Sequence, residues 1–137
     1  MNTFIETIVY KKVQLALIIR KKIQFKNKGV HFVTNNRDLL QVGFLKHKKK
    51  HNIKSHIHLK QKRIINYSSE VLIIKKGKLK IIFYNDTGKK ILKPKILNKD
   101  DIIILFKGGH GFETLTDCEI IEVKQGPYLK KKDKKII

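Results

Sequence analysis

Glu70-Val71-Leu72-Ile73-Ile74-Lys75-Lys76-Gly77-Lys78-Leu79-Lys80-Ile81-Ile82-Phe83-Tyr84 sets two β-branched and aromatic runs on either side of a Lys-Lys-Gly turn. Side chains of this kind suit a pleated, half-buried surface, and glycine accepts the backbone angles of a tight reversal. The stretch reads as a β-hairpin with arms Glu70 to Ile74 and Lys78 to Tyr84. Downstream, Asn85-Asp86-Thr87-Gly88 is a second turn, followed by short runs at Lys89 to Leu92 and Lys95 to Leu97 around Pro94. Asn98-Lys99-Asp100-Asp101 turns into Ile102 to Phe106, and Gly108-Gly109 bends the chain at His110. Phe112 to Leu115 and Glu119 to Val123 close the series. Upstream lie apolar runs at Val13 to Ile19, Ile23 to Phe25, Val30 to Val33, Leu39 to Leu45 and Ile53 to Leu59. Helical periodicity is nearly absent. Many short strands between turn signals predict an all-β sandwich or barrel.

The chain has 137 residues, which suits one domain with a core of its own. The expectation is a single domain over 1–128 and a basic, flexible, solvated tail over 129–137, where Lys130 to Lys135 is a run of charge. Thirty-two lysines and arginines against eleven acids give a net charge of +21. Such a balance raises nucleic acid, anionic membranes and phosphorylated ligands as partners. The sequence argues against nucleic acid. Arginine, the residue suited to bidentate contact with phosphate and guanine, occurs only at Arg20, Arg37 and Arg63, and the lysines are spread along the chain. An AT-rich coding sequence also produces a surplus of Lys, Ile and Asn. Cys118 stands alone, so no internal disulfide forms. Met1 to Glu6 lacks a basic leader, and Lys11-Lys12 and Arg20-Lys21-Lys22 interrupt the early apolar runs. The expectation is therefore no signal peptide, no membrane span and a cytoplasmic protein.

His56-Ile57-His58 carries the chemistry. On a strand, residues i and i+2 share a face, so the two imidazoles point the same way. Glu70 and His110 add a carboxylate and a third imidazole. Three nitrogens and one oxygen suit a divalent transition metal such as Zn, Fe, Mn or Ni.

These positions resemble the cupin superfamily, small β-barrels of the jelly-roll (double-stranded β-helix) type with a metal in the mouth. His56 and His58 match the paired histidines of its first motif. Glu70 and Gly77 match its glutamate-to-glycine spacing, and Asp100 to His110 matches part of the second motif, with His110 as the last ligand. The interval from His58 to Glu70 is longer than in the family, and Lys50, Asp100 and Phe106 replace a glycine, a glycine and a proline. The similarity covers about residues 40 to 124. Gly109-His110-Gly111-Phe112-Glu113, with Glu122 to Tyr128, is similar to small single-domain cupins associated with nucleotide-sugar and surface-polysaccharide synthesis. The resemblance implies a metal held by His56, His58, Glu70 and His110, and a homodimer paired through N-terminal strands.

Around that set, Arg63 and Lys62 are candidates to clamp an anionic or sugar-type ligand, and Tyr84 offers a phenol to a sugar. His47 and His51, in the most basic stretch, read as solvated, and His31 as structural. Glu113 lies at an odd offset from His110 and is expected to face away. Cys118 reads as a small packed residue. The function implied is that of an isomerase or epimerase acting on a sugar, sugar phosphate or nucleotide sugar, with the metal as Lewis acid. No general base is identified. A non-catalytic metal- and ligand-binding cupin and an Fe(II) dioxygenase are the alternatives.

Overall fold

The computed structural model describes residues 4–137; Met1, Asn2 and Thr3, part of the stretch read for a leader, lie outside the described residues. The chain divides into two compact units. The first comprises residues 4–23 and 67–137, and the second Gln24–Asn66. Among the described residues, ten strands and one 3-10 turn, Lys130–Lys132, make up the regular structure. No helix among the described residues is long and apolar enough to cross a membrane.

The first unit holds two antiparallel sheets. One has five strands in the order β1 (Ile5–Tyr10), β2 (Val13–Ile19), β8 (Ile102–Leu105), β5 (Glu70–Lys76) and β10 (Glu119–Lys124). The other has three, β7 (Lys90–Asn98), β6 (Lys78–Tyr84) and β9 (Gly109–Thr114). The second unit contains the hairpin of β3 (Gly29–Phe32) and β4 (Gly43–Lys46). The protein is thus all-β, with three sheets, none of which closes on itself.

Alternation builds the core. On β6, Leu79, Ile81 and Phe83 are buried while Lys80, Ile82 and Tyr84 are half-buried. They pack with Leu72 and Ile74 of β5, Leu15, Ala16 and Ile18 of β2, and Ile103 and Leu105 of β8. Each fully buried Ile, Leu or Phe side chain contributes about 1.5–3 kcal/mol. β2 and β8 are buried along both faces, so their sequences read as continuous apolar runs rather than alternating ones.

The structure corrects several sequence expectations. Ile5–Tyr10 is a strand, which the reading passed over. Ile23 to Phe25 and Ile53 to Leu59 are not strands, and Leu39 to Leu45 yields only Gly43–Lys46. In the irregular stretch, Ile57 and Leu59 are 89% and 78% exposed, so its alternation buries nothing. The two runs around Pro94 are one strand, Lys90–Asn98. Proline is tolerated there because β7 is an edge strand, and a bulge opposite Ile81 and Phe83 absorbs extra residues, with Leu92 at φ 59°.

One end of the first unit is tied by Asp101, whose side chain is 3% exposed. Its carboxylate accepts hydrogen bonds from Arg20 Nη1, the Lys21 N–H and the Asn98 N–H, each at 2.9 Å. Arg20 also donates to the Ile96 carbonyl at 2.7 Å and pairs with Glu6, which Lys95 reaches at 3.1 Å. Burial pushes the Glu6 carboxyl up, but the bonds from Arg20 and Lys95 outweigh it and hold the group below its ordinary value. β1, β2 and the β7–β8 turn are pinned together in this way. Asp101→Ala removes three hydrogen bonds and leaves Arg20 partly unpaired, so it is expected to lower unfolding free energy by about 3 kcal/mol. Urea denaturation of the purified variant checks the value; a loss under about 1 kcal/mol contradicts the assignment.

Candidate functional site

Glu70 opens β5 on the core-facing side, two residues before Leu72 and four before Ile74. It lies in register with the buried Leu105 of β8 on one side and with Lys124 of β10 on the other. His110 lies on β9 opposite Phe83, another core residue, and so shares the inward face of the second sheet. The two sheets therefore direct a carboxylate and an imidazole into the same end of the core. They meet there, with His110 Nε2 at 3.1 Å from Glu70 Oε2. The side chains are 27% and 19% exposed, so both reach solvent while resting on apolar walls. The His110 ring tilts over Phe112, with centroids 5.2 Å apart.

The hydrogen bond from His110 is the main cause holding the Glu70 carboxyl below its ordinary value. Partial burial opposes it, and the charges of His110, Lys124 and Lys134 add to it. Lys124 in turn approaches Asp133 at 3.5 Å and lies over the Tyr128 ring. The C-terminal Ile137 side chain stands close to Gly88 and Gly109. Gly109 and Gly111 flank His110 on the outward face, where a Cβ would press on Tyr84 at 3.0 Å and 3.4 Å. Glycine at both positions lets the Tyr84 ring lie against the strand that carries His110.

Of the four expected metal ligands, the structure brings Glu70 and His110 together. His56 and His58 belong to the second unit, within an exposed irregular segment, with ring centroids 5.1 Å apart in an edge-on arrangement. His56 Nδ1 lies 3.0 Å from the Lys54 carbonyl. Among the described residues, no group of three or more His, Cys, Asp and Glu side chains stands together. Lys62 and Arg63 are exposed in the same irregular segment. Tyr84 lies at the end of β6, on the sheet face opposite His110, in register with Gly109. Glu113 pairs with Lys80, away from the His110 face. Cys118 packs beside the β5–β6 turn and donates to the Lys78 carbonyl at 3.1 Å.

Lys124 went unnoticed in the sequence. Its relation to Glu70 comes from the β5–β10 register, which pairs residues 54 positions apart and leaves no short-range trace. The Glu70–His110 pair itself is compatible with a shared ion. Two ligand atoms, each about 2.1 Å from one metal and near a right angle to each other, stand about 3 Å apart. A nitrogen and an oxygen donor on a partly apolar, solvent-reaching wall also suit a borderline divalent ion.

Because the folded Glu70 carboxyl titrates below its unfolded value, it stabilises the fold above the unfolded value. That contribution is lost as pH falls through the lower, folded one. His110→Ala is expected to return the Glu70 titration toward the ordinary carboxylate value in a carboxyl-carbon NMR titration, and Glu70→Gln to flatten the acid limb of a urea-stability profile. An unchanged Glu70 titration in the His110 variant contradicts the coupling. No protein-family model, no curated protein and no solved structure matches the chain.

Proposed function

We propose that the chain is a metal-binding protein of the cupin, jelly-roll type that acts on a sugar, sugar phosphate or nucleotide sugar as an isomerase or epimerase. The observation that carries the reading is the Glu70–His110 contact, made by strands of two different sheets at one end of a shared core. Strand order supports the fold assignment. β8-β5-β10 and β7-β6-β9 run side by side in sequence, and each series ends in a strand bonded on one side only, β10 and β9.

In this reading Glu70, His110, His56 and His58 hold the ion, which supplies Lewis-acid polarisation of a substrate oxygen. The chain's own residues do the rest. Glu70 fixes the orientation of the His110 ring, and Lys124 offers a positive charge to an anionic substituent beside it. Phe112 and the apolar residues behind the pair limit water on that side. Isomerisation of a sugar next to a carbonyl needs a proton removed from one carbon and returned to its neighbour.

The same contact favours a second reading without an ion. A carboxylate hydrogen-bonded to an imidazole sets its tautomer and orients its ring, which makes His110 the proton-transferring group.

Metal content separates the two. Tag-free wild type purified without chelator is expected to carry close to one divalent ion per chain. Glu70→Gln/His110→Ala and His56→Ala/His58→Ala are each expected to carry under a tenth of that. Equal metal in wild type and both variants removes the metal reading. A panel of nucleotide sugars is then screened by thermal shift, since a ligand bound only by the folded chain raises Tm. No shift with any sugar nucleotide or sugar phosphate at millimolar concentration contradicts the substrate class.

A further inference from the structure

The second unit is unlike the first in charge. Residues 24–66 hold nine lysines and two arginines against a single acid, Asp38, whose carboxylate accepts the Asn35 N–H at 2.8 Å. Three aromatic rings give the unit a small packed centre. Phe25 stacks on His31 at 4.4 Å and approaches Phe44 at 5.4 Å, while His31 Nε2 meets the Asn27 carbonyl at 2.9 Å. Lys46, at the end of β4, reaches back to the Phe25 carbonyl.

Beyond β4 the chain reverses. The His51 N–H donates to the Lys48 carbonyl at 3.2 Å, and Lys50 takes a left-handed conformation at φ 64°. This turn lays the His47 and His51 rings face to face, with centroids 4.1 Å apart and planes 4° from parallel. The two rings, with Lys28, Gly29 and Lys48, line a recess of about 290 Å³. That is near the lower end of ordinary small-ligand pockets, about 300 Å³.

Among the described residues, His47 Nε2 is buried with no hydrogen-bond partner, although buried polar atoms are nearly always satisfied. The positive charge of the recess also lacks a counterpart within it. Lys28 stands within hydrogen-bonding reach of Lys48, and no acid lines the recess to compensate. The Lys48 contact first, then slight desolvation and the charge of Lys46, pulls the Lys28 pKa below its ordinary value.

We infer that this recess binds a phosphate-class oxyanion, held between the Lys28 and Lys48 ammonium groups beside the stacked His47 and His51 rings. An anion there relieves the repulsion between the lysines. Lysines act as point charges rather than as a planar fork, so the site takes the phosphate group by charge and not by its ester substituent. The inference stands apart from the metal reading, because none of its residues is among Glu70, His110, His56 and His58.

The test is a titration of the full-length, 15N-labelled chain with inorganic phosphate at constant ionic strength, followed at the Gly29 amide and the His47 ring. Saturable shifts are expected. Lys28→Ala/Lys48→Ala is expected to weaken binding tenfold or more, while Lys89→Ala/Lys90→Ala, an exposed pair in the first unit, leaves it within twofold. All four positions are exposed, and retained amide dispersion confirms folding. Shifts that do not saturate, or equal weakening in both double variants, reduce the effect to net charge and overturn the site. Flotation with phosphatidic acid vesicles identifies the source of the phosphate. Binding that free phosphate displaces assigns a soluble ligand. Binding that resists phosphate yet is lost in Lys28→Ala/Lys48→Ala assigns a lipid headgroup at the same site.

Discussion

Contact between the inward rows of the two sheets is the constraint on which the first unit depends. Leu72 and Ile74 of β5 face Leu79, Ile81 and Phe83 of β6, and Ile18, Ile103 and Leu105 fill in around them. Because strand side chains alternate, burying these rows fixes the face of every other residue on the same strands. Glu70 continues the row of Leu72 and Ile74, and His110 continues the inward face of β9 opposite Phe83. Their meeting at 3.1 Å follows from hydrophobic registration rather than from local preference. A slip of one residue in β5 or β9 would send either group to the opposite face and exchange a buried apolar residue for a polar one.

The core so formed is sealed at both ends by carboxylates held in cationic surroundings. At the β7–β8 turn, Asp101 gathers Arg20 and two backbone N–H groups, and Glu6 pairs with Arg20 and Lys95. At the other end of β8, Glu70 sits in register with Leu105 and bonds His110. Both glutamates titrate below their ordinary values, so both favour the folded chain above the usual carboxylate range and cease to do so in acid. The ends differ in access and in partners. Asp101 is sealed and tied to backbone, which makes it structural. Glu70 and His110 reach solvent and, among the described residues, their side chains hydrogen-bond each other, which leaves orbitals and protons for chemistry.

What the sequence disclosed follows the same physics. Val13–Ile19 and Lys78–Tyr84 were legible to the residue, because a continuous apolar run and a clean alternation each correspond to one burial state. The reversal at Gly77 was legible too. Its φ is 88°, and a Cβ there would lie 2.1 Å from the Asp117 carbonyl, so only glycine fits. Ile5–Tyr10 was missed because Glu6 and Thr7 break its apolar pattern, although Glu6 serves the Arg20 network. Ile53 to Leu59 shows the reverse failure. Its alternation is as good as that of a strand, but a strand needs a neighbour to bond, and the alternation says nothing about one. Within the candidate site, Glu70 and His110 were legible as residue types at suggestive spacing. Lys124, the unsatisfied His47 and the stacking of His47 on His51 depend on register and turn geometry and were not.

Charge is distributed by the same folding. Six of the eleven acids, namely Glu6, Glu70, Asp101, Glu113, Glu119 and Asp133, stand within ion-pair distance of a lysine, arginine or histidine, and all lie in the first unit. The second unit has only Asp38, which bonds backbone. Its surplus of positive charge therefore stays uncompensated and acts on solution. Salt distinguishes the two settings. Exposed lysines around Lys28 and Lys48 interact through water, where charges more than about 8 Å apart are screened at physiological ionic strength. Glu70 and His110 touch on an apolar wall, where intervening ions do not enter and attraction at 3.1 Å persists. The +21 net charge is thus shared unevenly: the first unit pairs most of its acids with cations, and the second holds eleven lysines and arginines against one acid.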